Sequence, residues 1–271
     1  MTDNGRLSRY GLRFIALFYL TALLLLPIGV ALVKTFEDGI GEVITQITEP
    51  DAVHALKMSL LTVIIAVPLN TIFGIAAAHV VVRTKFRFKW AINALIDMPF
   101  AVSPVVIGLA LVLVYGTGGW FGADLASMGI QVIFSTPGIV MAVIFVSLPF
   151  VAREVIPVMQ EIGTDQETAA ETLGAGPWQT FRKITLPAIR WGVTYGIVLT
   201  IARTLGEFGA VIMVSSNLPG KSQTLTLLVA DRYNRGNEYG AYAVSTVLMA
   251  VAVLVLIVQV VLDARRARAA K

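Results

Sequence analysis

The sequence contains no cysteine. Disulfide frameworks, thiolate metal sites and thiol nucleophiles are therefore excluded, while the compartment stays undecided. Charge is scarce as well. Asp, Glu, Lys and Arg make up 14% of the 271 residues, against about 25% in an ordinary soluble domain. So little charge cannot cover a water-facing surface on a chain that is 56% hydrophobic with a mean hydropathy of +0.79. Also lacking are the alternating pieces of about ten residues that mark a membrane barrel. There is no internal repeat, no low-complexity tract and no stretch that reads as a separate soluble domain. A net charge of +4 taken alone suggests nucleic acid, but its distribution along the chain assigns it another use.

What is present is a set of apolar runs long enough to cross a bilayer, which takes about 20 residues per helix. They cover residues 14–33, 58–82, 91–115, 136–152, 191–214 and 241–262. The expected fold class is all-α: a polytopic membrane protein of six transmembrane helices forming a single domain over residues 1–271. The second run holds Pro68 and ends near His79, which reads as interfacial. The third is interrupted by Asp97, Pro99 and Pro104, and the fourth carries Pro149 near its end. These prolines suggest kinked helices lining a cavity. The first run follows Arg6, Arg9 and Arg13 and could be mistaken for a leader. It is long for one, and Lys34 follows without a small-x-small cleavage site, so it reads as a span.

Lysine and arginine set the expected sidedness. With the N-terminus inside, the inner segments hold fifteen of them: Arg6, Arg9 and Arg13; Arg83, Lys85, Arg87 and Lys89; Arg153, Arg182, Lys183 and Arg190; Arg265, Arg266, Arg268 and Lys271. The outer segments hold five: Lys34, Lys57, Lys221, Arg232 and Arg235. A threefold bias over short loops is the positive-inside pattern. Both termini are expected in the cytoplasm, at the cell membrane.

The longest inner connection, residues 153–190, carries its own signals. Thr164 is placed as an N-cap and Glu167, three residues on, completes a capping box. A short helix then runs to Leu173, with Gly174 at the left-handed position past its end. Pro177 suits the first turn of a second stretch, Trp178 to Leu186, and the chain returns to the membrane at Pro187. A helix of about nine residues is marginal alone in water, so it must dock. Ala169 and Ala170 give it a small-residue face, and Trp178, Phe181 and Ile184 form an apolar stripe. From the residues alone, a connector packed on its own bundle is the plainer account and docking on a partner the alternative.

Inside the fifth run, Arg203 and Glu207 stand four apart, on one face of a helix and able to pair. Intramembrane ionisable residues are functional candidates; the competing account is an internal ion pair that only orients the bundle. Gly206 and Gly209 would let helices approach closely at a moving interface. Asp97 reads as a buried acceptor at a helix end. The outer Gly220-Lys221-Ser222 is not a phosphate loop, since position 215 is Ser rather than Gly.

Residues 168–187 resemble the EAA loop of ATP-binding-cassette importer permeases. Ala169-Ala170, Gly174 and Ile184-Thr185-Leu186-Pro187 fall at the matching places, with Thr168 where the family has Glu and Glu167 just before it. The resemblance implies a type I importer permease fold. It also implies a coupling helix, with Glu167, Thr168, Ala169, Ala170, Gly174, Ala175 and Trp178, seated in a cleft of an ATPase subunit. The stretches Arg203 to Ala210 and Ser216 to Leu225 are similar to sulfate/thiosulfate and molybdate permeases. Asp231-Arg232-Tyr233-Asn234, Tyr239 to Tyr242, Ile96 to Pro104 and Ser147 to Glu154 resemble the W-type sulfate branch. That implies a permease for sulfate or thiosulfate, not an enzyme, with no cofactor of its own and ATP-Mg held by the ATPase. Implied partners are a second, T-type permease, two ATPase subunits, an extracytoplasmic sulfate-binding protein and membrane lipid, without nucleic acid. Arg203, Glu207, Gly206 and Gly209 are then candidates for the translocation path or its gate. The alternatives are a molybdate or tungstate importer, a gradient-driven anion transporter, or a scaffold without transport.

Overall fold

The structure is a computed structural model that describes residues 4–85 and 87–269. The side chains of Arg6, Arg9, Arg265, Arg266, Arg268 and Lys271, which carry part of the expected sidedness, lie outside the described residues. The described chain is helical and without strands. In order it forms α1 (Asn4–Leu20), α2 (Leu26–Phe36), α3 (Ile40–Thr48), α4 (Pro50–Arg83), α5 (Lys89–Ala101), α6 (Pro104–Tyr115) and α7 (Gly122–Ser127). It continues with α8 (Thr136–Ser147), α9 (Pro149–Ile162), α10 (Asp165–Thr172), α11 (Pro177–Thr180), α12 (Leu186–Leu205), α13 (Gly209–Val214), α14 (Leu225–Asn234) and α15 (Glu238–Ala269).

Among the described residues, five continuous segments are long and apolar enough to cross a membrane: Gly11–Phe36, Pro50–Arg83, Thr136–Ile162, Pro177–Leu205 and Glu238–Leu262. The third run differs from expectation. It is two helices, α5 and α6, bent by 109° at Val102-Ser103. Pro104 accounts for the break: the residue before a proline is pushed into extended backbone, and Ser103 has ψ 134. The fourth span is longer than the apolar run, reaching Ile162 instead of residue 152. Beyond Ala152 one face stays apolar, with Val155, Ile156 and Met159 buried, and that face suffices to hold the helix in the bundle. The fifth span ends at Leu205, and residues 209–214 form a separate short helix.

Prolines shape the remaining helices. A π turn at Phe181–Thr185 precedes Pro187, and another at Thr21–Leu25 precedes Pro27. In both, the N–H of the residue just before the proline reaches five residues back, Leu186 to the Phe181 carbonyl and Leu26 to that of Thr21. The wider turn accommodates the carbonyl that a proline ring would otherwise strike. Pro187 therefore lies inside a continuous helix from Pro177 rather than at a return point. At the junction of α8 and α9, Pro149 offers no N–H, and the Leu148 N–H bonds the Phe145 carbonyl instead. The Ile144 carbonyl so freed accepts from Asn70 Nδ2 at 3.1 Å, and Asn70 also donates to Ser147 Oγ at 2.8 Å.

The core is built around α9, which packs on α4 and α12. Glycines allow that approach. A Cβ on Gly74 would lie 2.7 Å from Val151 Cβ, one on Gly196 2.6 Å from Val151 Cα, and one on Gly192 2.8 Å from the Glu154 carbonyl oxygen. Without aqueous solvent to drive association, close backbone packing of this kind is what holds membrane helices together. A second cluster joins α4, α6, α8 and α13 through Ile107, Ile139, Val143, Val211 and Val214. A third joins the start of α4 to α14 and α15 through Ala52, Ala55, Leu228 and Val244.

Candidate functional site

The fourth and fifth spans are joined by residues 163–176, which form the candidate docking element. α10 has no buried residue. Its C-terminus is closed by a full Schellman pair: Ala175 N–H bonds the Ala170 carbonyl at 3.0 Å and Gly174 N–H bonds that of Glu171 at 2.9 Å. Gly174 has φ +86, a left-handed conformation that costs other residues about 1–2 kcal/mol. Thr168 and Ala169 face outward. Next to them Leu173 is 89% and Trp178 71% exposed, Trp178 stacking on Phe181 at 5.7 Å.

The expected capping box does not form, since the Thr164 side chain makes no cap hydrogen bond. Glu167 is instead drawn into the bundle by Arg83 at the end of α4. Arg83 Nε lies 2.7 Å from Glu167 Oε2, while its Nη1 and Nη2 donate to the carbonyls of Met159 (3.1 Å) and Gly163 (2.6 Å). Thr185 donates to Glu167 Oε1 at 2.7 Å. One guanidinium thus ties the end of the fourth span, the docking helix and the second span together, and an ion pair this enclosed outweighs a solvent-facing cap. Sequence reasoning missed Arg83, which looked like one more loop cation; nothing in its local pattern distinguishes it. A cavity of about 770 Å³ lies between this connection and α4. His79 lines it, edge-on to Phe181 at 6.3 Å between centroids.

Mid-bundle, two broken helices meet. Arg203 and Glu207 do pair, Nη1 to Oε2 at 2.6 Å, but Glu207 lies past the end of α12 and not on its face. Its other oxygen accepts the Ala210 N–H at 2.7 Å, satisfying a free donor at the start of α13. Thr226 donates to the Glu207 carbonyl at 2.7 Å. The Glu207 side chain is 1% exposed and that of Arg203 31%. A Cβ on Gly209 would lie 3.2 Å from Pro104 Cβ, and one on Gly108 2.6 Å from the Ala210 carbonyl, so α13 seats on the start of α6. A Cβ on Gly206 would meet only the Ala202 carbonyl oxygen, at 3.5 Å, so within this chain Gly206 brings no second helix close.

A further pair had no counterpart in the sequence reading. Arg153 donates from Nε to Asp97 Oδ1 at 2.6 Å and from Nη2 to Oδ2, joining α9 to α5. The Asp97 side chain is 49% exposed and that of Arg153 36%, so Asp97 is not the buried helix-end acceptor expected. Hydropathy falls at Ala152-Arg153-Glu154, which predicts a loop at Arg153. The apolar spacing Val151, Val155, Met159 continuing beyond it was the signal of an unbroken helix. Among the described residues no group of three His, Cys, Asp or Glu could hold a metal.

A broken-helix bundle with an exposed, rigidly tied helix at one end is the architecture of a transport permease. Residues 70–268 match the family model for the binding-protein-dependent transport system inner membrane component, and the chain belongs to that family. It is similar to the sulfate transport system permease protein CysW of Synechococcus elongatus, at 45% identity over 94% of this chain and 89% of the relative. It is 41% identical to the protein of the same name from Escherichia coli K12, over 90% of this chain and 84% of the relative. In fold it is similar to a bacterial ABC transporter chain involved in import of the acidic polysaccharide alginate, with a TM-score of 0.78, 17% identity, and 99% and 98% of the two chains covered.

Proposed function

We propose that the chain is a permease subunit that imports sulfate or thiosulfate, driven by a separate ATPase that docks on α10. The observation that carries the coupling role is the contrast within the 163–176 connection. α10 buries nothing of its own, yet Arg83 and the Schellman closure hold it rigidly on the bundle. A stiff exposed helix with apolar Leu173 and Trp178 beside it fits into a groove on a partner. It passes the partner's rigid-body motion to the fourth and fifth spans at once. Thr168, Ala169, Ala170, Ala175 and Trp178 would meet the ATPase, while Glu167 acts from behind as a strut. ATP and Mg²⁺ belong to that partner. The 41–46% identity to sulfate permeases over most of the chain supports the choice of anion.

The remaining assembly, a T-type permease, two ATPases and an extracytoplasmic binding protein, with both termini of this chain in the cytoplasm, follows from the same reading. The route for the anion runs past the meeting of α6 and α13. Irregular backbone at membrane depth, as at this junction, is what the wall of an aqueous route tolerates. Arg203, reduced in charge by Glu207, supplies attraction without a trap, and Gly209 lets the two broken helices touch.

Sulfate uptake into proteoliposomes holding the full complex, with ATP enclosed, tests the reading. ATP-dependent accumulation is expected, and uptake driven by an ion gradient without ATP would overturn it. Gly174→Val tests the docking element separately. A β-branched residue at φ +86 should leave the chain inserted in the membrane but remove the ATPase from affinity pull-downs. Unchanged co-purification would count against the assignment.

A further inference from the structure

We propose that Arg153, partly neutralised by Asp97, is a second charged station for the transported anion, at the mouth of the route on the α10 side. The inference rests on the proposed function above and adds a specificity-determining residue to it.

Depth comes from helix register. Gly196 of α12 lies against Val151 and Gly192 against the Glu154 carbonyl, which sets Arg153 level with about residues 193–194 of α12. At 1.5 Å per residue, Arg203 is roughly 14 Å further toward the opposite face and Arg190 roughly 5 Å back toward the α10 side. Arg190 stacks on Trp191 at 5.6 Å, the kind of pair that anchors a helix at the membrane boundary. Arg153 and Asp97 therefore sit just inside the boundary.

Their environment argues against lipid. An arginine at this depth facing acyl chains would extend its head to the boundary, and a carboxylate, with a side chain too short to follow, would be stranded. Here the guanidinium turns sideways and grips Asp97 with both arms. Both side chains remain partly exposed on the isolated chain. A half-exposed fixed charge pair at membrane depth belongs on a surface that assembly turns toward water, the aqueous mouth between permease subunits. One helical turn further in on the same two helices, Phe100 and Phe150 meet edge-to-face at 5.4 Å, with Phe100 56% exposed. A charged pair followed by an aromatic pair, both on α5 and α9, is the layout of a station behind a narrow apolar passage.

The carboxylate has a definite part in this. A bare arginine in a confined mouth would hold a dianion too long, and conduction needs a site weak enough to leave. Asp97 lowers the field and holds the fork, so the anion is drawn on from Arg203 and released inward.

The test uses the full complex in proteoliposomes with ATP enclosed. Two quantities are measured: the uptake rate, and the concentration of enclosed sulfate that halves it. Arg153→Gln should cut uptake about tenfold and raise the half-inhibiting concentration. Asp97→Asn should also slow uptake but lower the half-inhibiting concentration several-fold, because the unmasked arginine binds product more tightly. Arg153→Lys, which keeps the charge, should retain most of the uptake and guards against a folding defect. A merely structural latch predicts otherwise. Both neutral variants would slow uptake with the half-inhibiting concentration unmoved, or the uncharged double variant Asp97→Asn/Arg153→Gln would restore transport. Either result overturns the proposal while ATP-driven uptake by the unchanged complex leaves the importer reading standing. Failure of the unchanged complex to import sulfate at all would overturn both.

Discussion

The first and fourth spans are of nearly equal length and hydropathy, 26 and 27 residues, yet their surroundings are opposite. None of the most apolar eighteen residues of Gly11–Phe36 is buried, against 61% of those in Thr136–Ile162. The first is pinned to the bundle near its end, where the Thr35 and Thr246 hydroxyls lie 2.8 Å apart and Tyr239 donates to the Thr35 carbonyl at 2.9 Å. The fourth is gripped about its middle, at Val151 to Glu154, by glycines of the second and fifth spans. Hydropathy sorts a helix into the membrane; it does not decide what that helix packs against. Association there depends on steric fit, and fit is written in small residues on the neighbours, not in the span itself.

The strongest way to break this contrast is to fill one of those glycine contacts. Gly196→Leu places a side chain where Val151 Cα already stands, and overpacking of even a yielding core costs about 1–3 kcal/mol. Loss of the monodisperse peak in detergent size-exclusion is expected, with little protein accumulating. Arg83→Gln attacks the other end of the fourth span. Removing one partner of an enclosed ion pair costs about 3 kcal/mol. Here the loss should be local: faster protease cleavage or hydrogen exchange across 163–176 and weaker ATPase co-purification, with the bundle intact. Gly29→Leu in the first span is the control. No atom lies within 4 Å of a Cβ built there, so the change should stay within about 0.5 kcal/mol, as surface substitutions do. Thermal unfolding that moves as much for Gly29→Leu as for Gly196→Leu would erase the distinction between the two spans.

Much of the fold could be read directly, and for a simple reason. Satisfying the backbone in lipid forces long apolar runs into helices, so all six runs were visible, as was the left-handed Gly174 closing α10. The misreadings cluster where a polar residue is used inside the bundle. Arg153 interrupts the hydropathy of the fourth span and predicts a loop where the helix in fact continues. Glu207 looked like a residue on a continuous helix face, and is a cap on the next one. Glu167 looked like a capping partner, and is a strut to Arg83. In each case the deciding contact comes from a residue 56 to 84 positions away, or from the free N–H of a helix that only the break creates.

By itself, then, the sequence determined that this chain is a helical membrane protein with six apolar runs. It also determined that the fourth and fifth are joined by a short glycine-ended helix. Those features follow from local backbone energetics and the exclusion of water. Only the tertiary structure decided where the third and fifth spans break, that the breaks meet at Pro104 and Gly209, and which carboxylate each arginine holds. An ion pair is chosen by proximity in three dimensions, and proximity is a property of the packed glycines that bring the helices together.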